Sequence, residues 1–154
     1  MKSIRDIIAI VFISFLFFLF MAYIEMEALD GLVITPADVT LEHWLDNFKL
    51  WAEVGIVISL GTSLLWYGLG QWVFKLNDWK KSDRRVIWYL CFLLPAGAVI
   101  LSIMFTHQAQ EGAFFAYIFY TLNNLLCLYF ATVLFSPSSY KYTPLGASKL
   151  RFLR

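Results

Sequence analysis

The sequence is poor in the residues that build reactive centres. Its 154 residues include two histidines, His43 and His107. A structural zinc centre usually takes four protein positions and a catalytic one three, so His107 with Glu111 falls short of a metal site. The two cysteines, Cys91 and Cys127, lie inside apolar segments, where they read as small core hydrophobes and not as a disulfide framework. No HExxH pair, phosphate-cradling glycine run or nucleophile–base pair is present, and Gly61-Thr62-Ser63 lacks the surroundings of a nucleophile elbow. These absences argue against hydrolytic, phosphoryl-transfer and metal chemistry. The expectation is a non-enzymatic protein that needs no cofactor.

Charge is also missing, in blocks. Ile7–Ile24, Val54–Phe74, Val86–Thr106 and Ala113–Phe135 contain no Asp, Glu, Lys or Arg. Each is long enough to cross about 30 Å of hydrocarbon at about 1.5 Å per residue. With 60% hydrophobic and 19% aromatic residues, the chain has no room for a separate soluble domain. The fold class expected is an all-α integral membrane protein, a four-transmembrane-helix bundle forming one domain over residues 1–154. No small-x-small cleavage site follows Phe20, so the first span is expected to be retained and not removed as a signal peptide.

The charges that do occur are sorted by sign. Lys2, Arg5, Lys75, Lys80, Lys81, Arg84, Arg85, Lys141, Lys149, Arg151 and Arg154 flank the spans on one side, and Lys49 alone lies opposite. Short loops rich in Lys and Arg stay in the cytoplasm. Both termini, the inner loop 75–85 and the tail 136–154 are therefore expected inside, with the outer loop 25–53 outside. By that topology the inner side carries +8 and the outer side −7, which the overall net charge of +1 conceals. Glu25 and Glu27 are expected to leave the bilayer, and Asp30-Gly31 to turn the chain.

Within the outer loop, Leu41, Trp44, Leu45, Phe48 and Trp51 recur at spacings of three and four, with Glu42, His43, Asp46, Asn47 and Lys49 on the other face. That periodicity predicts a short amphipathic helix lying at the interface. Thr35-Pro36 and Thr40 are its two candidate starts. Trp66, Tyr67, Trp72, Trp79, Trp88 and Tyr89 gather near the inner edge in the manner of an aromatic belt, although Trp66 and Tyr67 lie deep enough to pack inside the bundle instead.

Two features suit helix–helix contact. Gly55, Ser59 and Ser63 lie four apart in the second span, and Gly61 and Gly68 add a further small surface. Such residues allow close approach where hydrocarbon removes the hydrophobic drive. They serve either the chain's own helices or a second copy. Asn123 and Asn124 sit at mid-span in the fourth segment and need partners. In the third span Pro95 removes one backbone hydrogen bond and predicts a kink. No carboxylate is expected deep in a span, which weighs against proton-coupled transport.

Lys80, Lys81, Arg84, Arg85, Lys141, Lys149, Arg151 and Arg154 form a basic cytoplasmic face suited to anionic lipid or to an acidic protein. Nucleic acid is not the expected partner. The function expected is a homo-oligomeric, multi-pass subunit of the bacterial inner membrane that docks a cytoplasmic or membrane protein. The alternative is a small homo-oligomeric channel or membrane-permeabilising effector, with Ser59, Ser63, Thr121 and Asn124 facing water.

Overall fold

A computed structural model describes residues 2–73, 81–106 and 111–134, and all regular structure there is helical. Helix α1 runs over Lys2–Phe20, passes through a π-helical turn at Met21–Glu25 and continues as Met26–Leu32. Helix α2 spans Leu41–Gly68 and ends in a π turn, Leu69–Val73. Helix α3 is Lys81–Phe105. Helix α4 runs over Ala113–Thr121, a π turn at Leu122–Leu126, and Cys127–Leu134. All four are long and apolar enough to cross a membrane.

The helices overrun the charge-free stretches on one side. Apolar residues continue past Glu25 and Glu27 as Ala28, Leu29 and Leu32, so α1 persists to Leu32 and Gly31 lies within it, not in a turn. The outer loop shrinks from the expected 25–53 to the connection 33–40. There Val33 is extended and Val39 N donates to Pro36 O at 3.1 Å. Of the two candidate starts for the next helix, Thr40 is used: its Oγ1 accepts from His43 N at 3.3 Å, satisfying one of the unpaired donors of the first turn.

No separate interfacial helix forms. Leu41, Trp44, Leu45, Phe48 and Trp51 are the opening turns of α2, which runs unbroken into the second span. The apolar stripe continues in register through Ala52, Gly55, Ile56, Ser59, Thr62, Ser63 and Trp66, all buried. One continuous buried face favours one continuous helix over two joined by a bend.

Helix α2 and helix α4 pack on each other and each contacts both α1 and α3, which flank them. The main core cluster joins Met21, Leu29, Trp44, Phe48, Ala52, Ile56, Val99, Ala116 and Tyr120. A second, towards the Lys2 end, joins Ile10, Ile13, Tyr67, Cys127 and Ala131. Trp66, Tyr67 and Trp88 are buried, while Trp72 and Tyr89 are exposed as a belt residue requires. Helix α3 remains helical across Pro95. Phe12, Phe15, Phe18 and Phe20 of α1 point outward, where hydrocarbon would solvate them.

The end of the bundle carrying Leu32, Leu41, Phe105 and Ala113 is closed by a backbone bridge. Ile34 N donates to Glu111 O at 3.1 Å and Glu111 N returns the bond to Ile34 O at 3.3 Å. This ties the α1–α2 connection to the start of α4.

Candidate functional site

The π turns of α1 and α4 face one another. A π turn accommodates one extra residue, re-aims the side chains that follow, and occurs often at functional positions. Glu25 ends the first of these turns, and Asn123 and Asn124 sit in the second. Glu25 is fully buried and lies seven residues, about 10 Å, from the end of α1. Asn123 lies ten residues, about 15 Å, into α4. Its Nδ2 donates to Glu25 Oε2 at 2.7 Å. Glu25, expected at the exposed end of the first span, instead lies buried inside a helix long and apolar enough to cross a membrane. The signal in the sequence is the spacing Met21, Glu25, Leu29, which places the carboxylate on the same stripe as two buried apolar residues.

Adjacent residues on a helix diverge by about 100°, so Asn124 meets a different neighbour. Ser59 Oγ donates to Asn124 O at 2.8 Å, and Asn124 Nδ2 donates to Tyr120 O at 2.8 Å. The Asn124 amide lies directly against Gly55, where a Cβ would fall 2.8 Å from its Cγ. Asn123 thus joins α4 to α1, while Asn124 joins α4 to α2. Ser63 Oγ turns back to Ser59 O at 2.7 Å, as hydroxyls do within helices when no closer partner is offered.

A third polar contact lies nearer the Leu32 end. Thr106 Oγ1 and Tyr120 Oη are 2.6 Å apart, and Ser102 Oγ donates to Ala98 O at 2.8 Å. The Tyr120 ring packs on Phe48 with centroids 4.9 Å apart, and Phe48 stacks on Trp44. Tyr120 therefore bonds α3 while its ring lies against α2. Sequence reasoning misses Glu25, Tyr120, Thr106 and Ser102 as site residues. Their partners lie on other helices, and no local spacing displays them.

The small-residue surface divides. Gly55, Ser59 and Ser63 face the interior. Gly61 does not: together with Gly97, Thr62, Leu65 and Leu94 it lines an open apolar groove of about 540 Å³ between α2 and α3. A Cβ at Gly61 or Gly97 would meet nothing within 4 Å. Gly68 lies against Trp72 of its own helix.

Of the basic residues, Lys81, Arg84 and Arg85 fall in the first turns of α3 with side chains beyond those described. Lys80, Lys141, Lys149, Arg151 and Arg154 lie outside the described residues, as does His107. Among the described residues no three His, Cys, Asp or Glu side chains gather in a way that would hold a metal ion. The chain matches no protein-family model, no curated protein and no solved structure.

Proposed function

We propose that this chain is a non-enzymatic, multi-pass subunit of a bacterial inner membrane, with both termini in the cytoplasm, that assembles with copies of itself and docks a partner through its basic face. The observation that carries the reading is the groove beside Gly61 and Gly97. Bundle-facing small residues are already occupied by Asn124 and its neighbours, whereas these two glycines are open. Small residues on an outer face let a further helix approach closely where van der Waals contact drives association. The sorted charges supply the second half: eleven of the chain's twelve basic residues lie near its N-terminus, between the second and third apolar stretches and in its tail, and short basic loops stay cytoplasmic.

The test is the mass and composition of the intact particle, purified from its native host in nanodiscs. The expected result is a multimer carrying a second protein, which charge reversal at Lys80, Lys81, Arg84 and Arg85 releases without altering topology. A monomer with no companion sinks the reading.

One observation favours the alternative of a small channel. Intramembrane carboxylates are costly and mark ion or proton paths by default, and Glu25 is buried within a helix long and apolar enough to cross a membrane. Conductance of the purified oligomer, altered by Asn123→Leu or Asn124→Leu, is the result expected of a channel. Unchanged conductance in correctly inserted variants is the result expected of the subunit.

A further inference from the structure

Glu25 and Asn123 use one edge of each planar group in the bond from Nδ2 to Oε2. The other edges are Glu25 Oε1 and Asn123 Oδ1, both buried and both without a hydrogen-bond partner among the described residues. An ionised carboxylate has acceptors only, and the carbonyl of an amide is likewise only an acceptor. No arrangement of an ionised Glu25 with Asn123 satisfies both oxygens, and a buried acceptor left unpaired is expensive. One added proton resolves both. We propose that Glu25 is a proton-binding site, the proton sitting on Oε1 and donated to Asn123 Oδ1, so that acid and amide close a ring of two antiparallel hydrogen bonds between α1 and α4.

The ligand follows from the geometry. A metal cation would need several oxygens converging on one point, but of the other buried oxygens without a partner among the described residues, Asn124 Oδ1 belongs to the residue that faces Gly55 of α2, Asp6 Oδ2 lies at the far end of α1 and Asn47 Oδ1 belongs to the opening turns of α2. A basic side chain would serve, yet the ion pair seen among the described residues joins Arg5 to Asp6, at the far end of α1. The core cluster containing Met21 and Leu29, one turn either side of Glu25, brings Trp44, Phe48 and Ala52 from α2, Val99 from α3, and Tyr120 from α4. Tyr120 is the titratable group within electrostatic reach of Glu25, with Tyr117 beside it. Neither is a basic side chain that could pair with a carboxylate.

Binding is simple protonation: water delivers H⁺ to the carboxylate, one O–H bond forms and none breaks within the protein. Loss of the proton leaves both acceptors unpaired at the α1–α4 seam, so proton occupancy is linked to how these helices pack. The inference is independent of partner docking.

The test uses the full chain in nanodiscs at neutral pH. Infrared spectra are expected to show a carboxylic acid C=O band that shifts on deuteration and is missing in Glu25→Gln. The glutamine can reproduce both bonds, accepting from Asn123 Nδ2 and donating to Oδ1. Its unfolding equilibrium should therefore stay close to that of the wild type, whereas Glu25→Ala shifts it by roughly tenfold or more. A wild-type spectrum lacking the acid band overturns the proposal, as does a glutamine variant as unstable as the alanine one. If Glu25→Gln fails to insert, wild-type chain labelled with [¹³C]glutamate carries the test alone, because Glu25 is the fully buried glutamate among the described residues, whereas Glu27, Glu42 and Glu111 are exposed and Glu53 is partly so.

Discussion

Gly55 of α2 and Asn124 of α4 occupy one another's space: a Cβ on the glycine would lie 2.7 Å from the asparagine Oδ1 and 2.8 Å from its Cγ. The absence of a side chain at position 55 is what lets the Asn124 amide reach Tyr120 O. Gly55→Ala is therefore expected to push Asn124 aside and to destabilise the bundle by about 1–3 kcal/mol, the usual cost of overpacking. Gly61→Ala, which adds the same methyl to the same helix where nothing lies within 4 Å, is expected to change stability by less than about 0.5 kcal/mol. Reversible unfolding of both variants in bicelles measures the difference. Equal effects would show that the α2–α4 seam is looser than the geometry requires.

Ser59 donates to the Asn124 carbonyl at 2.8 Å, within a π turn whose backbone bonding is already altered. Ser59→Ala removes that donor. The expected loss is about 0.6 kcal/mol and at most about 1.7, the range of interhelical hydrogen bonds in membranes. Ser63→Ala is the control, since Ser63 Oγ bonds Ser59 O of its own helix and its loss leaves the α2–α4 seam intact. A Ser63 variant as damaged as the Ser59 variant contradicts this assignment.

The four helices were legible because an uninterrupted charge-free run has one structural outcome at membrane length. Their ends were not. A search that stops at the first carboxylate halts at Ile24, although Leu29 and Leu32 continue the helix to its end and Glu25 is buried within it. Periodicity from Leu41 to Trp51 was equally plain, but a stripe of spacing three and four looks alike against a lipid surface and against other helices. What distinguishes them is the stripe's unbroken passage through Ala52, Ile56, Ser59 and Trp66. The pairing of Glu25 with Asn123 spans 98 positions, and a single sequence shows that Asn123 needs a partner without showing which residue supplies it.

Thr106 and Tyr120 share a hydrogen bond of 2.6 Å that joins α3 to α4. Each hydroxyl has a backbone acceptor as well, Ser102 O at 2.6 Å from Thr106 Oγ1 and Phe48 O at 3.5 Å from Tyr120 Oη, so either can supply the proton between them. Thr106→Val and Tyr120→Phe each delete one partner while keeping shape. A double-mutant cycle is expected to return a coupling of about 0.6–1.7 kcal/mol. Additive single effects would mean that the two hydroxyls act separately, each through its own helix.

Gly31 and Gly112 stand on either side of the Ile34–Glu111 bridge, and the same substitution is expected to destabilise the chain at Gly112 but not at Gly31. Gly112 has φ of 84°, and a Cβ there would lie 3.0 Å from Val33 Cα and closer still to the Leu32 carbonyl oxygen. An alanine must both adopt the left-handed region, at about 1–2 kcal/mol, and displace the chain that α4 is tied to. Gly112→Ala should therefore destabilise by more than about 1 kcal/mol and loosen the bridge, seen as faster amide exchange at Ile34 and Glu111. Gly31 lies in the last turn of α1, exposed, and a Cβ added there would meet nothing within 4 Å. Alanine there gains helix propensity, about 0.5–1 kcal/mol relative to glycine, so Gly31→Ala should stabilise or leave stability unchanged. A destabilising Gly31→Ala would place position 31 in a turn after all, and would return Glu25 to the end of its helix.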